Sequence, residues 1–202
     1  EEIQRKFSIS ASLAHAEWSK TKINFIDTPG YNIFLHETEG ALVAADSALL
    51  LVHAVGGLEV QTEKTWGFCE KLTLPRALVI NQMDRDRASF ERTMEALQGA
   101  FGRTVIPVQL PIGEEKNFRG VIDLVRMKAY MYDASGSGKA KEVEIPAELS
   151  EAAAKAHEAL VEMVAEGNDK LMEEFFEKGT IPVEDLVPGL RQAIIERRVY
   201  PA

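Results

Sequence analysis

The sequence predicts an α/β chain in which a mostly parallel sheet with helices fills the first half and a separate α+β unit follows. Three observations predict it. Short apolar runs at 22–26, 47–55 and 76–80 are rich in Val, Ile, Leu or Phe, the pattern of strands buried on both faces of a parallel sheet. Stretches with helical spacing separate them, and strand–helix alternation implies right-handed crossovers. From about Arg103 the pattern changes to shorter strands and then to acidic helices.

Taken in order, residues 7–18 alternate apolar and polar side chains (Phe7, Ile9, Ala11, Leu13). They are expected to pair with 22–26 through a turn at Ser19-Lys20-Thr21, adding an antiparallel edge to the sheet. Helices are expected at 34–45 and 62–72, and a third where Phe90, Met94, Leu97 and Phe101 recur at helical spacing. In the second unit, 105–110 and 121–132 read as strands, 133–141 as a Gly/Ser/Lys loop and 142–145 as a short strand. Three amphipathic faces follow: Leu149, Leu160, Met163 and Val164; Leu171 with Phe175 or Phe176; and Val183, Leu186, Leu190 and Ile194. Pro188 is expected to kink or restart the last helix. A second, α+β unit is therefore expected to begin at about Arg103.

With 202 residues, 46% hydrophobic and 27% charged, the chain is long enough for one large or two small domains. A formal charge of -9 argues against a surface that itself serves as a cationic bed for phosphate backbones, so sequence-specific nucleic-acid binding is not expected. Cys69 is the single cysteine; it precludes an internal disulfide, and its apolar-spaced neighbours Trp66, Phe68 and Leu72 place it in a core. The apolar stretch 41–55 is interrupted by Asp46 and His53 and is too short to span a bilayer, and no signal-peptide pattern opens the chain. The expected location is the cytoplasm. His15, His36, His53 and His157 lack metal-ligand spacing. The start without methionine and an apparently unfinished last strand read as an excised piece.

Asp27-Thr28-Pro29-Gly30 stands where an apolar strand gives way to a loop, and ligands of open α/β sheets bind at that carboxyl edge. An aspartate there can hold Mg²⁺ directly or through water, and a glycine leaves its N–H free to approach a terminal phosphate. The same four residues are also good turn material. Asn81-Gln82-Met83-Asp84 follows another apolar strand, so the two motifs are expected to open onto one crevice. A carboxylate at Asp84 matches the ring N–H and exocyclic amine of guanine, whereas adenine would leave its charge unpaired. Asn81 would tie the loops around the base. The competing reading makes Asn81 and Asp84 caps of the helix that begins near Phe90.

Together these segments resemble the translational GTPases, and among them the elongation factor G family. Arg5-Lys6-Phe7-Ser8-Ile9-Ser10 resembles the end of the family's first switch region, Ile23-Asn24-Phe25-Ile26-Asp27-Thr28-Pro29-Gly30 its second, and Asn81 to Asp84 its guanine-specificity motif. Gln109-Leu110-Pro111-Ile112-Gly113, Phe118-Arg119-Gly120-Val121-Ile122-Asp123-Leu124 and Lys128-Ala129-Tyr130 resemble the α+β subdomain inserted into that GTPase domain. The resemblance implies a partial P-loop GTPase domain over 1–102, an inserted α+β subdomain over 103–198 and a return to the GTPase domain at 199–202, with GTP as substrate, Mg²⁺ held by Asp27 and Ser8, GTP contacts from Asp27, Thr28, Pro29, Gly30, Asn81, Gln82 and Asp84, and the ribosome with its stalk protein as partners. Hydrolysis would drive a conformational step in translation. The alternative is a module that binds the stalk protein with little nucleotide activity of its own.

Some residues depart from the family. A phosphate-cradling Gly-x-x-x-x-Gly-Lys-Ser/Thr is not found; Gly136-Ser137-Gly138-Lys139-Ala140 imitates it, but Asp133 replaces the first glycine and Ala140 the hydroxyl. This chain is therefore expected to bind nucleotide poorly. Tyr31 stands where the family has the histidine that positions the attacking water, so slower hydrolysis, as in an elongation factor G-like paralogue, is expected. Gln82 replaces a lysine whose stem covers the base, and Ser8 replaces the switch threonine while keeping its hydroxyl.

Overall fold

One helical turn, α1 (Glu2–Arg5), precedes a hairpin of β1 (Ser12–Trp18) and β2 (Thr21–Asp27). Trp18 pairs with Thr21 across a two-residue turn in which Ser19 and Lys20 both have positive φ, the geometry that matches strand twist; Thr21 thus belongs to the strand rather than the turn. The computed structural model describes residues 1–133 and 138–202.

After a 3-10 turn (Asn32–Phe34) come α2 (Leu35–Ala44), β3 (Ala48–His53), α3 (Val60–Lys71) and β4 (Arg76–Asn81). β3 and β4 pair in parallel, from Ala48 opposite Arg76 to His53 opposite Asn81. Two expectations fail here. The hairpin forms its own two-stranded sheet instead of an edge on β3, and nearly all of its residues are exposed. β3 is buried on one face only: Ala48, Leu50 and Val52 point into a core with Trp66, Cys69 and Leu97, while Leu49 and Leu51 are 60% and 65% exposed. An apolar run records hydrophobicity without recording what covers it.

α4 (Phe90–Phe101) is capped by Ser89, whose hydroxyl accepts from the Arg92 N–H, and ends at Gly102 with φ 91°. β5 (Val105–Ile106) then pairs in parallel with β10 (Tyr200–Pro201). The strand expected over 105–110 is two strands: Pro107 lacks an N–H, and the chain changes sheets there to become β6 (Gln109–Ile112). Likewise 121–132 is a hairpin of β7 (Gly120–Asp123) and β8 (Lys128–Tyr132). Asp123 Oδ1 accepts from the Val125 and Arg126 N–H groups and turns the chain, with Met127 at φ 52°. β9 (Ala140–Val143) completes an antiparallel sheet ordered β6-β7-β8-β9, two residues earlier than expected. Residues 134–137 of the expected loop, with Gly136 and Ser137 of the phosphate-loop imitation, lie outside the described residues.

α5 (Ala147–Ala165), α6 (Asp169–Lys178) and α7 (Val183–Ile195) cover one side of this sheet, with Leu160, Val164, Leu171 and Leu186 packed against Ile122 and Leu124. α7 continues through Pro188 without restarting. Gly189 beside it lets the helices close: a Cβ there would stand 2.6 Å from Leu171 Cδ1 and 3.1 Å from Val164 Cγ1. No helix among the described residues is long and apolar enough to cross a membrane.

Arg76, the first residue of β4, is 2% exposed. Its guanidinium carbon lies 4.0 Å from the Trp66 ring centroid and 4.6 Å from that of Tyr200, and Trp66 stacks on Phe101 at 4.0 Å. Nη1 donates to the Trp66 carbonyl at 3.2 Å and Nη2 to the Tyr200 hydroxyl at 3.1 Å; Glu70 stands 3.7 Å away, and Nε has no protein partner. A buried cation of this kind gains from both rings but keeps a desolvation cost. Arg76→Ala, which empties the slot, is expected to lose about 3 kcal/mol of stability, and Arg76→Met, which refills it without charge, less than half of that. Urea unfolding of the two variants measures the difference.

Candidate functional site

Asp27 is the last residue of β2 and is exposed, Thr28 is half-buried, and Pro29 is buried, its carbonyl accepting from the Thr38 hydroxyl of α2 at 3.4 Å. Gly30 opens onto free space, with nothing within 4 Å of a Cβ placed there. Tyr31 is exposed, and its ring packs on Phe7 with centroids 4.6 Å apart; Phe7 also reaches Phe34 at 6.4 Å. Lys64 of α3 donates to Asn32 Oδ1 at 2.7 Å, tying the loop to the β3–β4 layer.

Carboxylates fasten the segment around Ser8. Glu2 Oε1 accepts from the Ile9 N–H at 2.7 Å and the Ser10 N–H at 3.2 Å, and Glu37 Oε2 of α2 accepts from the Ala11 N–H at 3.0 Å. Ser8 itself is half-buried. None of Glu2, Glu37 and Lys64 was apparent in the sequence, where nothing pairs a lone acidic or basic residue with a distant amide.

Asn81 ends β4 beside His53. Its side-chain oxygen accepts from the Gln82 N–H at 2.8 Å, its carbonyl accepts from the Ala54 N–H at 2.9 Å, and Gln82 takes φ 61°. His53 Nδ1 accepts from the Val55 and Gly56 N–H groups, which shapes the neighbouring loop. Met83 is buried with Ala54 and Ala88, while Gln82 and Asp84 are exposed. Because Ser89 caps α4, the carboxylate of Asp84 is not consumed in capping, which removes the competing reading of that residue.

Over residues 1–187 the sequence matches the family of the elongation factor Tu GTP binding domain. The chain belongs to that family. Among solved structures, this GTP-binding-family chain is similar to a crystal structure of a protein from Thermus thermophilus, with 30% sequence identity and a TM-score of 0.89. That likeness covers 99% of this chain and 30% of the other, so the present chain spans less than a third of that relative.

Within this family member the structure joins some expected site residues and leaves others apart. Phe7 brings the Ser8 segment against Tyr31, and Ser12 pairs with Asp27 at the open end of the hairpin. Among the described residues no hydrogen bond, ion pair or ring contact runs from Asp27–Tyr31 to Asn81–Asp84; α2, β3, α3 and β4 lie between them along the chain. A cleft of about 250 Å³ lies away from both, lined by Arg103, Glu162, Met163 and Glu166 among others, and the two 2.9 Å bonds from Arg103 to Glu166 brace it. For Mg²⁺, Asp27 and Ser8 offer the hard oxygen donors that ion takes, and it ordinarily completes its shell with water and phosphate oxygens. Among the described residues no group of three or more candidate ligands occurs, so these two oxygens do not form an all-protein cage.

Backbone N–H groups, Ile9 first and then Ser10, hold the Glu2 carboxyl below the usual glutamate range. The tie is therefore fully present above the ordinary glutamate pKa and lost as pH falls through the depressed value. Amide shifts of Ile9 and Ser10 in an NMR titration are expected to move with an inflection below the ordinary glutamate pKa, and Glu2→Gln is expected to abolish that inflection.

Proposed function

We propose that this chain supplies the switch and base-recognition segments of a ribosome-associated GTPase of the elongation factor G type. The observation that carries the reading is the way β4 ends: Asn81 is anchored by Gln82 and Ala54, and Asp84 is held out in solvent with its carboxylate uncommitted. Its two oxygens suit the paired N–H donors of guanine.

One sheet face supports a phosphate-cradling element supplied from outside these 202 residues. Leu49 and Leu51 on β3 and Val79 on β4, 41% exposed, lie on the same side as His53 and Asn81, so an uncovered apolar strip runs up to the base-recognition loop. A strand and helix packed there would place a phosphate loop beside both motifs. On this reading 1–107 and 199–202 belong to one unit, since Val105 packs in the β3–β4 core and β5 pairs with β10, and the inserted unit begins near Val108.

When bound, Mg²⁺ would offset the phosphate charge. Asp27 would hold it, directly or through water, with Ser8 as the second protein oxygen; Thr28 and Pro29 shape the loop, and the Gly30 N–H would face the terminal phosphate. Tyr31 would stand near the attacking water. Its phenol can donate a hydrogen bond, and its ring is engaged with Phe7, so hydrolysis would be slow and depend on releasing that contact. Loss of the terminal phosphate would free the Ser8 and Gly30 segments. Translation places such a factor in the cytoplasm.

A second reading, a module binding the stalk protein, is favoured by Phe176, 79% exposed on acidic α6. Nucleotide dependence separates the two, because a ligand shifts an equilibrium only by its differential affinity. The full-length protein is expected to bind ribosomes at least about tenfold more tightly with a non-hydrolysable GTP analogue than with GDP. Tyr31→His is expected to raise single-turnover, ribosome-stimulated hydrolysis by about tenfold or more. Equal ribosome affinity in both states would favour the passive module.

A further inference from the structure

We propose that Glu114 and Glu115 of the inserted unit are positioning residues for base recognition, holding the loop that carries Asp84 from outside the GTP-binding layer. The inference rests on the role proposed above for Asp84.

The connection between β6 and β7 leaves its own sheet to reach that loop. It turns at Gly113, φ 79°, where a Cβ would collide with the Asn117 carbonyl, so a glycine is required and the following 3-10 turn (Glu115–Asn117) is thrown toward α4. Glu115 then grips the 83–87 segment at both ends. Its N–H donates to the Met83 carbonyl at 2.8 Å, and its Oε1 accepts from the Arg87 N–H at 2.7 Å. Asp84 lies between those two anchor points. Glu114 Oε1 accepts from the Phe90 N–H at 2.7 Å, adding a carboxylate to the positive end of α4, where Ser89 makes a longer bond of 3.4 Å.

Further contacts make the junction specific. Phe118 packs against the cluster of Met83, Ala54 and Ala88, and Lys116 stands 3.7 Å from Asp86. From the opposite side Arg92 Nη2 donates to the Arg87 carbonyl at 2.7 Å, so Arg87, at φ 67°, is held through both its N–H and its C=O. Glu115 itself sits at φ 53°, a conformation that side-chain-bearing residues seldom adopt and that persists when contacts over-determine it. Simple docking of two units calls for apolar contact; here, beside the packing of Phe118, two successive carboxylates accept from backbone N–H groups, Glu115 from Arg87 in the loop and Glu114 from Phe90 at the start of α4.

Base recognition by a carboxylate depends on its placement to a few tenths of an ångström, because both hydrogen bonds must form at once. The test uses the full-length protein and the ratio of affinities for GDP and for inosine diphosphate, which lacks the exocyclic amine and so makes one bond fewer. Glu115→Ala is expected to lower this ratio by about tenfold, the size of one charge-assisted hydrogen bond. Glu115→Asp, which keeps the charge but withdraws the oxygen from Arg87, is expected to lower it as well, whereas Glu115→Gln, which keeps an acceptor at the same reach, lowers it less. Asp84→Asn is the control for the underlying reading and is expected to abolish the preference. If Asp84→Asn removes the preference but the Ala and Asp variants weaken GDP and inosine diphosphate equally or leave both unchanged, the positioning role is overturned while base recognition by Asp84 stands. If Asp84→Asn leaves the preference intact, both fall.

Discussion

The buried guanidinium of Arg76 ties the β3–β4 pair to the far end of the chain. It reaches α3 through the Trp66 carbonyl and ring, and β10 through the Tyr200 ring and hydroxyl. Tyr200 thereby locks β10 beside β4, and β10 in turn pairs with β5. Everything between β5 and β10 must leave the layer and return to it at nearly one point. Val108 marks that point: its N–H donates to the Ala202 carbonyl and its carbonyl accepts from the Leu124 N–H. Arg198 bonded to the Glu166 carbonyl, and Arg103 to the Glu166 carboxylate, secure the base of the inserted unit. At its other end Glu114 and Glu115 secure the loop after β4.

This arrangement divides the candidate site into a fixed part and a movable part. Asn81 to Asp84 extend from a strand paired along its length, above a core of Leu50, Val52, Trp66, Leu78 and Leu97. The Ser8 and Gly30 segments instead border a solvent-exposed hairpin and are held by the exposed carboxylate of Glu2, the half-buried one of Glu37, one hydroxyl bond and an aromatic pair. Segments with few buried contacts open at low cost. On the proposed reading, base recognition would sit on rigid backbone and phosphate sensing on loosely tied backbone, the division that a nucleotide-driven switch requires.

Short-range chemistry was legible in the sequence. The helix at Phe90 and the one expected over 62–72, the core place of Cys69 and the strand-to-loop positions of Asp27 and Asn81 all follow from spacing and strand ends. Long-range partnership was not. The apolar run at 22–26 forms a hairpin strand whose Ile23 and Phe25 are only partly covered by the described residues, and 105–110 breaks because its first two residues pair with a strand almost a hundred residues later. Arg76 in the core and Glu115 on a distant loop are charged residues whose partners are rings and amides, and no periodicity announces either. At Pro188 the restart, one of the two outcomes expected there, does not occur, and the adjoining Gly189 lies close against Leu171 and Val164.

The central claim is that the loop after β4 selects guanine. Competition of GTP and ATP against fluorescent GDP on the full-length protein in Mg²⁺ tests it most directly. GTP is expected to displace the probe and ATP to fail at concentrations at least about a hundredfold higher, since an unpaired carboxylate opposite adenine carries the full desolvation penalty. Equal displacement by ATP would contradict the assignment of Asp84.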